Sequence, residues 1–533
     1  MSAVRVRDAP PDSKKCPPVW RTFFYRCVKS SRPNSLTLVK FRKEMSTWVR
    51  RYNQLQNGGS VEDLRFPRLF RRFSLAKLLK LGANFLGNKQ MSTKSNSSRY
   101  VAIGLMLFAL FFGAGNLIFP AAMGQNAGVN VWWALLGFCI TGVGLPVLGV
   151  MAMGYSGCRN IQELASRVHP WYGLFYTILS YLAIGPCFAV PRTGTVSFEI
   201  AVRPFLPEGS ADMVLPIFLA VFFVITFWFS ATPSKLVDRV GKLLTPALVL
   251  TLALFILQSF VSPMGEPLAA SEAYGTPSAA VVTGILDGYN TLDAIASLVF
   301  AVLVISAVKD SGITSDKAVV KQVYKSGILA GVLLALIYMF VAKIGAESVT
   351  AIGMQDTGAP VLAESAKVLF GNSGALLLAV IVLLACLTTA IGLVTCCASY
   401  FLSLTGKFNY VIWAALFSVV SYLIGLFGLK TIIVSTIPVL MFIYPLCMAL
   451  MALAFLHNFF DGRQCVYVCT MAFTFVMALI SGLETAHVSL GGLGTFLSEN
   501  VPLYSSGLGW LSFAVAGAIV GLFWKTIKPI PAK

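Results

Sequence analysis

Long apolar segments alternate with short polar or glycine- and proline-containing breaks from residue 100 to the end of the chain. At about 1.5 Å per residue, segments of about 20 residues can cross the roughly 30 Å hydrocarbon core of a bilayer as helices. The pattern predicts an all-α polytopic membrane protein with about twelve transmembrane helices. The predicted spans are 100–122, 131–153, 171–200, 214–230, 240–262, 279–308, 325–345, 373–405, 410–427, 431–456, 465–483 and 506–525.

The composition agrees with a membrane protein and argues against a soluble enzyme. Of the 533 residues, 57% are hydrophobic and 12% are charged, and the mean hydropathy is +0.77. Soluble domains carry about a quarter charged residues. The three histidines do not combine with serine, cysteine or aspartate in an arrangement typical of a catalytic centre. We therefore predict that the protein is not an enzyme.

Positive charge is concentrated in the first 98 residues. The formal net charge is +19, and residues 1–98 contribute +16 of it, from 21 basic and 5 acidic side chains. The apolar remainder is nearly balanced, so no nucleic-acid partner is predicted. We interpret 1–98 either as a disordered basic cytoplasmic extension, in which 68–86 can form an amphipathic helix on anionic lipid, or as an untranslated region before a start at Met91.

Basic residues are distributed unequally between the loops on the two sides of the membrane. The loops after odd-numbered spans hold Arg203, Lys367 and Lys430, and those after even-numbered spans hold many more. Because cytoplasmic loops are enriched in Lys and Arg, both termini are predicted to be cytoplasmic, in agreement with an even number of spans. The basic residues predicted on the cytoplasmic side are Arg159, Arg167, Lys235, Arg239, Lys242, Lys309, Lys317, Lys321, Lys325, Lys407, Arg463, Lys525, Lys528 and Lys533.

The first span has a polar interruption at mid-depth. Within GLMLFALFFGAGNLIFPAAMG, the residues Gly113, Ala114, Gly115 and Asn116 interrupt an apolar run. Unwound backbone at this depth is tolerated only where it lines a cavity or is buried in protein. The segment therefore predicts a broken helix at a site. The alternative is that its glycines only allow close helix packing.

The sixth span has a similar interruption. In GILDGYNTLDAIASLVFAVLV, the polar stretch Asp287–Thr291 separates two apolar helices. The two interruptions lie 175 residues apart, counted from Gly113 to Gly288, and each opens a set of five spans. Broken helices in corresponding positions of two halves are typical of secondary transporters with inverted repeats. We predict a transporter domain at 99–530, with repeat one at 99–262, repeat two at 279–460 and additional helices at 465–525.

The ends of the broken helices predict the class of ligand. A half-helix that begins near Asn116 exposes N–H donors and a positive dipole end, which suit a carboxylate. Carbonyl ends near Phe112–Ala114 and Leu286–Gly288 suit an ammonium group or a cation. Asp293 can assist the amine, although its position three residues after Asn290 is also typical of a helix cap. The site suits a zwitterionic, hydrophobic amino acid, and the predicted substrate-binding residues are Gly113, Ala114, Gly115, Asn116, Gly288, Tyr289, Asn290 and Asp293.

Span eight offers oxygen ligands for a cation. The sequence from Ala385 to Thr388 and Thr389 places one backbone carbonyl and two hydroxyls on adjacent turns of a helix. Oxygen atoms are the ligands that hard cations prefer. The alternative is that both threonine hydroxyls bond back to carbonyls of their own helix, as is common in apolar helices.

Span three contains two ionisable residues, Arg192 and Glu199, within PRTGTVSFE. Their spacing of seven residues places them on one helical face. Because a charged residue in a membrane helix is costly, about 2.5–3.5 kcal/mol for Arg on insertion scales, both should face a cavity or a partner. A structural ion pair and a role in transport are equally compatible with the pattern.

The motif FFGAGNLIFPAAMG resembles the corresponding segment of the bacterial branched-chain amino acid:cation symporter family, the leucine, isoleucine and valine carriers. The similarity continues in the same order through IGPCFAVPRTGTVSFE, DGYNTLDAIASLVF and CLTTAIGL, and covers about residues 99–525. The family motif usually has a second proline where this chain has Ala121, and its members usually lack the basic extension.

The resemblance implies a leucine-transporter-type fold in the bacterial inner membrane, and uptake of leucine, isoleucine and valine driven by sodium or protons, without another cofactor. By analogy with that fold, it implies cation ligands at the carbonyls of Ala114 and Ala385 and the hydroxyls of Thr388 and Thr389. We therefore predict an alternating-access symporter whose partners are its amino acid substrate and membrane lipid. The alternatives are a carrier for another small neutral amino acid, a broken-helix channel and a non-transporting amino acid sensor.

Overall fold

The computed structural model of the protein describes residues 96–207, 209–232, 264–313 and 315–527. Every regular element in these ranges is helical, which confirms the predicted all-α class. Span five at 240–262 and the basic region up to residue 95, including the segment 68–86, lie outside the described residues.

The helices follow the predicted spans closely. Those before residue 232 are α1 (Asn96–Phe111), α2 (Ala114–Ala127), α3 (Val131–Cys139), α4 (Leu145–Ser156), α5 (Ile161–Ala165), α6 (Pro170–Leu182), α7 (Ala189–Ala201) and α8 (Ala211–Ser230). Those after residue 264 are α9 (Pro277–Tyr289), α10 (Asp293–Asp310), α11 (Asp316–Ile352), α12 (Gly358–Phe370), α13 (Asn372–Thr405), α14 (Tyr410–Gly425), α15 (Leu429–Leu456), α16 (Gln464–Thr485), α17 (Gly492–Asn500) and α18 (Trp510–Ile527).

Many of these helices are long and apolar enough to cross a membrane. Within the described residues, seven helical stretches meet this condition, and α9 and α10 together form a further span that is bent by 46°. The shorter apolar helices α1, α14 and α18 coincide with predicted spans one, nine and twelve. A multi-pass membrane protein is therefore the class that the structure supports.

Span three is not the uninterrupted helix that the sequence pattern predicts. A π-helical turn at Ala183–Cys187 separates α6 from α7, and Gly185 leaves the helical region there (φ −90°, ψ −120°). The adjacent Pro186 has no N–H to donate and crowds the preceding turn, which explains the kink. Ile184 and Ala189, on either side of the kink, both line the central cavity described below.

Three short helices among the described residues, α5, α12 and α17, are not predicted, because the apolar-segment pattern marks spans and not the helices between them. The packing of the spans themselves is reciprocal. Span one, formed by α1 and α2, packs against α11, and span six, formed by α9 and α10, packs against α3 and α4. In the same way α7 packs against α13, and α8 against α14. Such reciprocal contacts are expected of two halves related by a pseudo-two-fold axis.

Helix α13 lies at the centre of the bundle and α8 at its periphery. The most apolar part of α13 is 72% buried, whereas that of α8 is 28% buried, although both are hydrophobic enough to span a bilayer. Helix α8 exposes large apolar side chains such as Met213 and Trp228. In α1 and α10, Phe108 and Phe300 are fully buried. The broken spans and α13 therefore meet inside the protein.

A polar cavity of about 530 Å³ lies where α7 ends and α15 begins. Its charged lining residues are Glu199, Arg203, Asp356, Glu364 and Lys430. Arg203 forms an ion pair with Glu199 at 2.6 Å, and Lys430 with Asp356 at 3.1 Å. In the predicted topology all five belong to the non-cytoplasmic side, and we call this space the outer cavity.

Candidate functional site

Span one breaks at Gly113. The backbone of Gly113 is extended (φ −131°, ψ −158°), and its N–H donates to Oδ1 of Asn116 at 3.0 Å. In a continuous helix this N–H would bond to the carbonyl of Ala109. Because α1 stops here, its last four carbonyls, Ala109–Phe112, have no partner within the helix. The break therefore presents oxygen acceptors on one side and the N-terminal N–H groups of α2 on the other.

Span six breaks at residues 290–292, between α9 and α10. Leu292 has φ +67°, a left-handed conformation that is rare for a bulky residue. The hydroxyl of Thr291 donates to the carbonyl of Gly288 at 2.9 Å and accepts from the N–H of Asp293 at 3.4 Å. These side-chain bonds replace helical bonds that are lost at the break.

A buried polar network joins the two breaks. The side-chain amide of Asn116 donates both to the carboxylate of Asp293 and to the hydroxyl of Tyr338. The Tyr338 hydroxyl donates in turn to the Asp293 carboxylate at 3.3 Å. All three residues are at most 4% exposed. Because buried polar groups are costly to leave unpaired, the network holds α2, α10 and α11 together.

The structure corrects the capping alternative for Asp293. Leu292 occupies the N-cap position of α10, and Asp293 is the first helical residue. The Asp293 carboxylate accepts from Asn116 and Tyr338, not from the N–H groups of its own helix. Its side chain still lies at the N-terminal, positive end of the α10 dipole. The sequence prediction omits Tyr338, because a tyrosine within an apolar span is ordinarily part of the hydrophobic packing.

The two breaks line one central cavity with a volume of about 20 Å³, roughly the space of one water molecule. Its lining combines polar and apolar residues. The polar or backbone-exposing lining residues are Gly113, Ala114, Gly115, Asn116, Arg192, Thr193, Thr291, Asp293 and Thr389. The apolar lining residues are Leu110, Phe111, Ile184, Ala189, Leu292, Ala296, Phe300 and Leu393.

The cavity contains the predicted residues of span one but only Asp293 of those predicted in span six. The prediction that Gly288, Tyr289 and Asn290 line the site is not what the structure shows, and Thr291 and Leu292 take their place. The reason is that α9 continues through residue 289, so the break lies closer to α10 than the glycine suggests.

The displaced residues have packing roles. A Cβ atom on Gly288 would lie 2.0 Å from the hydroxyl oxygen of Thr141, so this glycine permits the close approach of α9 to span two. The ring of Tyr289 stacks on that of Tyr444 with centroids 4.4 Å apart. Gly288 therefore has the packing role that the sequence analysis considers only for the glycines of span one.

Thr389 of α13 faces the free end of α1. Its hydroxyl oxygen lies 3.3 Å from both the carbonyl oxygen of Leu110 and that of Phe112. A Cβ atom on Gly113 would lie 2.9 Å from the same hydroxyl, so the glycine makes room for it. The alternative of a bond back to its own helix does not describe Thr389.

Thr388 combines both predicted alternatives. Its hydroxyl donates to the carbonyl of Ala385 at 2.8 Å within α13, and it lies 3.5 Å from the carbonyl oxygen of Ala109.

The predicted carbonyl ligand at Ala114 needs correction. Ala114 is the first residue of α2, and its carbonyl accepts a bond inside that helix. The carbonyls within reach of the threonines are those at the end of α1.

Arg192 and Glu199 do not pair with each other. Glu199 pairs with Arg203 beside the outer cavity. Arg192 is 3% exposed, lines the central cavity, and places its guanidinium 5.1 Å from the ring centroid of Phe119. A structural ion pair is therefore what the structure shows for Glu199, with Arg203 and not Arg192 as its partner.

The sequence model of a family described as "Branched-chain amino acid transport protein" matches residues 96–528. The chain belongs to this family. The match contains both broken spans, both threonines of α13 and the buried arginine, so the whole candidate site lies in the part of the chain that defines the family. The predicted family resemblance is confirmed, and the family is one of transport proteins, not of enzymes.

Bacterial relatives within the branched-chain amino acid transport family are similar over nearly their full length. The branched-chain amino acid permease BraB of Bacillus subtilis is 44% identical over 422 residues, which are 79% of this chain and 94% of the relative. BrnQ of the same species is 43% identical over 431 residues, 81% of this chain and 98% of the relative. The branched-chain amino acid transport system 2 carrier protein of Pseudomonas aeruginosa is 38% identical, with 79% and 95% covered.

Solved transporters share the fold at low sequence identity. The nucleobase-cation-symport-1 family transporter Mhp1 has a TM-score of 0.53 at 16% identity, with 81% of this chain and 94% of Mhp1 covered. A Na⁺-coupled sialic acid symporter has a TM-score of 0.51 at 13% identity, with 82% and 91% covered. The predicted leucine-transporter-type fold is thereby confirmed.

Proposed function

We propose that the protein imports leucine, isoleucine and valine across the bacterial inner membrane by symport with sodium or protons. The observation that carries this proposal is the central cavity, whose lining combines the ends of two broken helices with apolar side chains. The names of the bacterial permeases, at up to 44% identity, support the same substrate class. Both termini are proposed to be cytoplasmic, on the distribution of basic residues between the loops.

Each part of a branched-chain amino acid has a counterpart in the cavity. The N-terminal N–H groups of α2, at residues 114–116, suit its carboxylate. The Asp293 carboxylate and the carbonyl ends of the broken helices suit its ammonium group. The apolar lining residues, which include Phe111, Phe300 and Leu393, suit a branched aliphatic side chain.

The coupling cation is proposed to bind between α1 and α13. The free carbonyls of Ala109–Phe112 and the carbonyl of Ala385 supply backbone oxygens, and Thr388 and Thr389 supply hydroxyl oxygens within 3.5 Å of them. Such a set of oxygen ligands suits sodium. Because the same break also presents α2 to the substrate, a cation at this position would order the backbone that holds the substrate.

Transport requires the cavity to open alternately to either side. The cavity volume of about 20 Å³ is too small for a leucine side chain, so the lining must part before substrate enters. A cation and a substrate couple when both bind more tightly to the same conformation, because each then shifts the population toward it. The Asn116–Asp293–Tyr338 network links spans one, six and seven and is a suitable element for this coupling.

The proposal is tested by uptake of radiolabelled leucine into proteoliposomes that contain the purified full-length protein. Sodium and proton gradients are imposed separately, and isoleucine, valine, alanine or lysine is added in excess. We expect accumulation against the leucine gradient with one of the two cations, blocked by isoleucine and valine but not by lysine. Leucine binding without accumulation under either gradient would contradict symport and favour a sensor. Flux far above carrier rates without accumulation would favour a channel.

A further inference from the structure

Arg192 is a buried charge that has no ion-pair partner within 4 Å among the described residues. Its side chain is 3% exposed, and its Nε atom has no hydrogen-bond partner. The acid nearest to it along α7 on the same face, Glu199, is paired with Arg203. A guanidinium in the interior of a membrane protein is costly unless an anion or a set of acceptors compensates it. An anionic group next to the guanidinium would therefore compensate its charge.

Asp293 does not fill this role directly. Its carboxylate lines the same cavity but is held by Asn116 and Tyr338, and it forms no ion pair with Arg192 within 4 Å. The described lining of the cavity thus includes the guanidinium of Arg192 and the carboxyl group of Asp293, which do not form a direct ion pair. A zwitterion placed between them would supply a partner of opposite charge to each.

The guanidinium lies beside the N-terminus of α2. A Cβ atom on Gly115 would be only 3.2 Å from Nη2 of Arg192, so the missing side chain leaves the guanidinium next to the helix backbone. The N-cap residue, Gly113, has no side chain that could accept the first N–H groups of α2. Two positive elements, the N–H groups and the guanidinium, therefore converge on the same part of the cavity.

We propose that Arg192 binds the carboxylate of the amino acid substrate, together with the N-terminal N–H groups of α2. This assignment rests on the proposed function and adds to it a residue that selects for the carboxylate. The planar fork of a guanidinium matches the two oxygens of a carboxylate. The ring of Phe119, 5.1 Å from the guanidinium carbon, supports the guanidinium plane by a cation–π contact.

The assignment predicts a specific pattern of ligand discrimination. Leucine carries the carboxylate, whereas leucinol has the same side chain and amine but a hydroxymethyl group in place of the carboxylate. In the wild-type protein only leucine can compensate Arg192. Charge-assisted hydrogen bonds to a carboxylate contribute enough that their loss lowers affinity by about 10-fold to 100-fold.

The experiment measures equilibrium binding of leucine and leucinol to the purified full-length protein in the presence of the coupling cation. In Arg192→Gln we expect leucine affinity to fall by about 10-fold to 100-fold while leucinol affinity changes less than threefold, so that the preference for leucine largely disappears. Arg192→Lys keeps the charge but loses the fork, and its preference should lie between those of the wild type and Arg192→Gln. Arg203→Gln, which lies just after α7 and is paired with Glu199, is the matched control and should retain the wild-type preference.

The outcomes separate the assignment from the proposed function. If Arg192→Gln loses affinity for leucine and leucinol equally, or keeps the wild-type preference, Arg192 does not bind the carboxylate. If the wild-type protein itself binds no branched-chain amino acid, the proposed function fails and the assignment fails with it. Should Arg192→Gln not fold, Gly115→Ala provides the second test, because its Cβ displaces the guanidinium. It should weaken leucine binding more than leucinol binding, and an equal loss would overturn the assignment.

Discussion

The breaks in spans one and six occupy corresponding places in the two halves but are built from different local chemistry. In span one, Gly113 leaves room for a neighbouring hydroxyl, and Asn116 accepts the N–H that would have continued the helix. The break in span six contains no glycine. Leu292 turns the chain in a left-handed conformation there, and Thr291 supplies the replacement hydrogen bonds. Both breaks therefore use a side-chain hydrogen bond, but the first depends on a glycine and the second on a left-handed leucine.

The difference shows that a glycine in a broken span does not by itself locate the break. Gly113 lies at the site because Thr389 approaches it. Gly288 lies inside α9 because Thr141 of the neighbouring helix occupies the space of its missing side chain. The two functions of glycine that the sequence leaves open are thus both present, one in each half.

Removing the link between the breaks should have the largest effect. In Asp293→Ala, the amide of Asn116 and the hydroxyl of Tyr338 lose their shared buried acceptor. An unsatisfied buried polar group costs about 1–3 kcal/mol, so two of them should lower the rate of leucine uptake by about 100-fold or more. The measurement is the initial uptake rate in proteoliposomes, normalised to incorporated protein. Asp212→Ala, at an exposed position in the first turn of α8, is the control and should transport normally.

Uptake by Asp293→Ala within threefold of the wild type would mean that the two breaks function independently. The breaks in the two halves would then resemble each other only in shape, and the Asp293 carboxylate would not couple them energetically.

The threonines of α13 provide a second comparison, because they contact the break in span one and not that in span six. Thr389→Ala removes a hydroxyl that reaches two free carbonyls of α1, so the cation concentration for half-maximal uptake should rise about tenfold. In Thr388→Ala the lost hydroxyl bonds mainly within α13, and a rise of about threefold or less is expected. Thr389→Ser keeps the hydroxyl and serves as the control. Equal shifts in both alanine variants would mean that the two hydroxyls contribute equally, and no shift in either variant would contradict the proposed cation site.

Features of this arrangement that depend on interactions between residues close in sequence, or on the bilayer, can be predicted from the sequence. The spans follow from the match between apolar length and bilayer thickness, so helices such as α8 and α16 lie close to the predicted bounds. The break in span one is also readable, because Gly113 and Asn116 act on backbone within three residues of each other. Local chemistry and the solvent specify these features without knowledge of the tertiary packing.

Features that depend on contacts between residues far apart in the sequence cannot be predicted from one sequence. Tyr338 is separated from Asn116 by 222 residues, and nothing in span seven marks it as part of a polar network. Whether Gly288 lines the site or permits close packing depends on which helix packs against α9. The identity of the cation ligands depends on which carbonyls face α13. Arg192 illustrates both cases: its burial in the membrane is evident from span three, but its position beside Gly115 emerges only from the packing of α7 against span one.

The two glycines can be distinguished by what their substitution changes. In Gly288→Ala the new methyl group would overlap the Thr141 hydroxyl and approach backbone atoms at 3.0 Å, so we expect a loss of about 1–3 kcal/mol in unfolding free energy with leucine affinity unchanged. In Gly113→Ala the nearest atoms belong to Thr389, and the cation dependence of uptake should shift instead. Stability is measured by detergent–SDS titration and affinity by leucine binding. If Gly288→Ala weakens leucine binding more than Gly113→Ala, the assignment of one glycine to packing and the other to the site is reversed.

The smallest effect concerns the backbone of the second break. At Leu292, with φ +67°, any residue with a Cβ atom is strained, whereas glycine is not. Leu292→Gly and Leu292→Ala both lose the buried side chain, so their difference isolates the backbone, and the glycine variant should be more stable by about 1 kcal/mol. At Leu298, inside α10, the order should reverse, because glycine destabilises a helix interior by about 1 kcal/mol relative to alanine. Detergent–SDS titration of the four variants measures both differences. If the alanine variant is the more stable one at both positions, span six is not held in a left-handed turn. Its break would then resemble that of span one, where no residue is in a left-handed conformation.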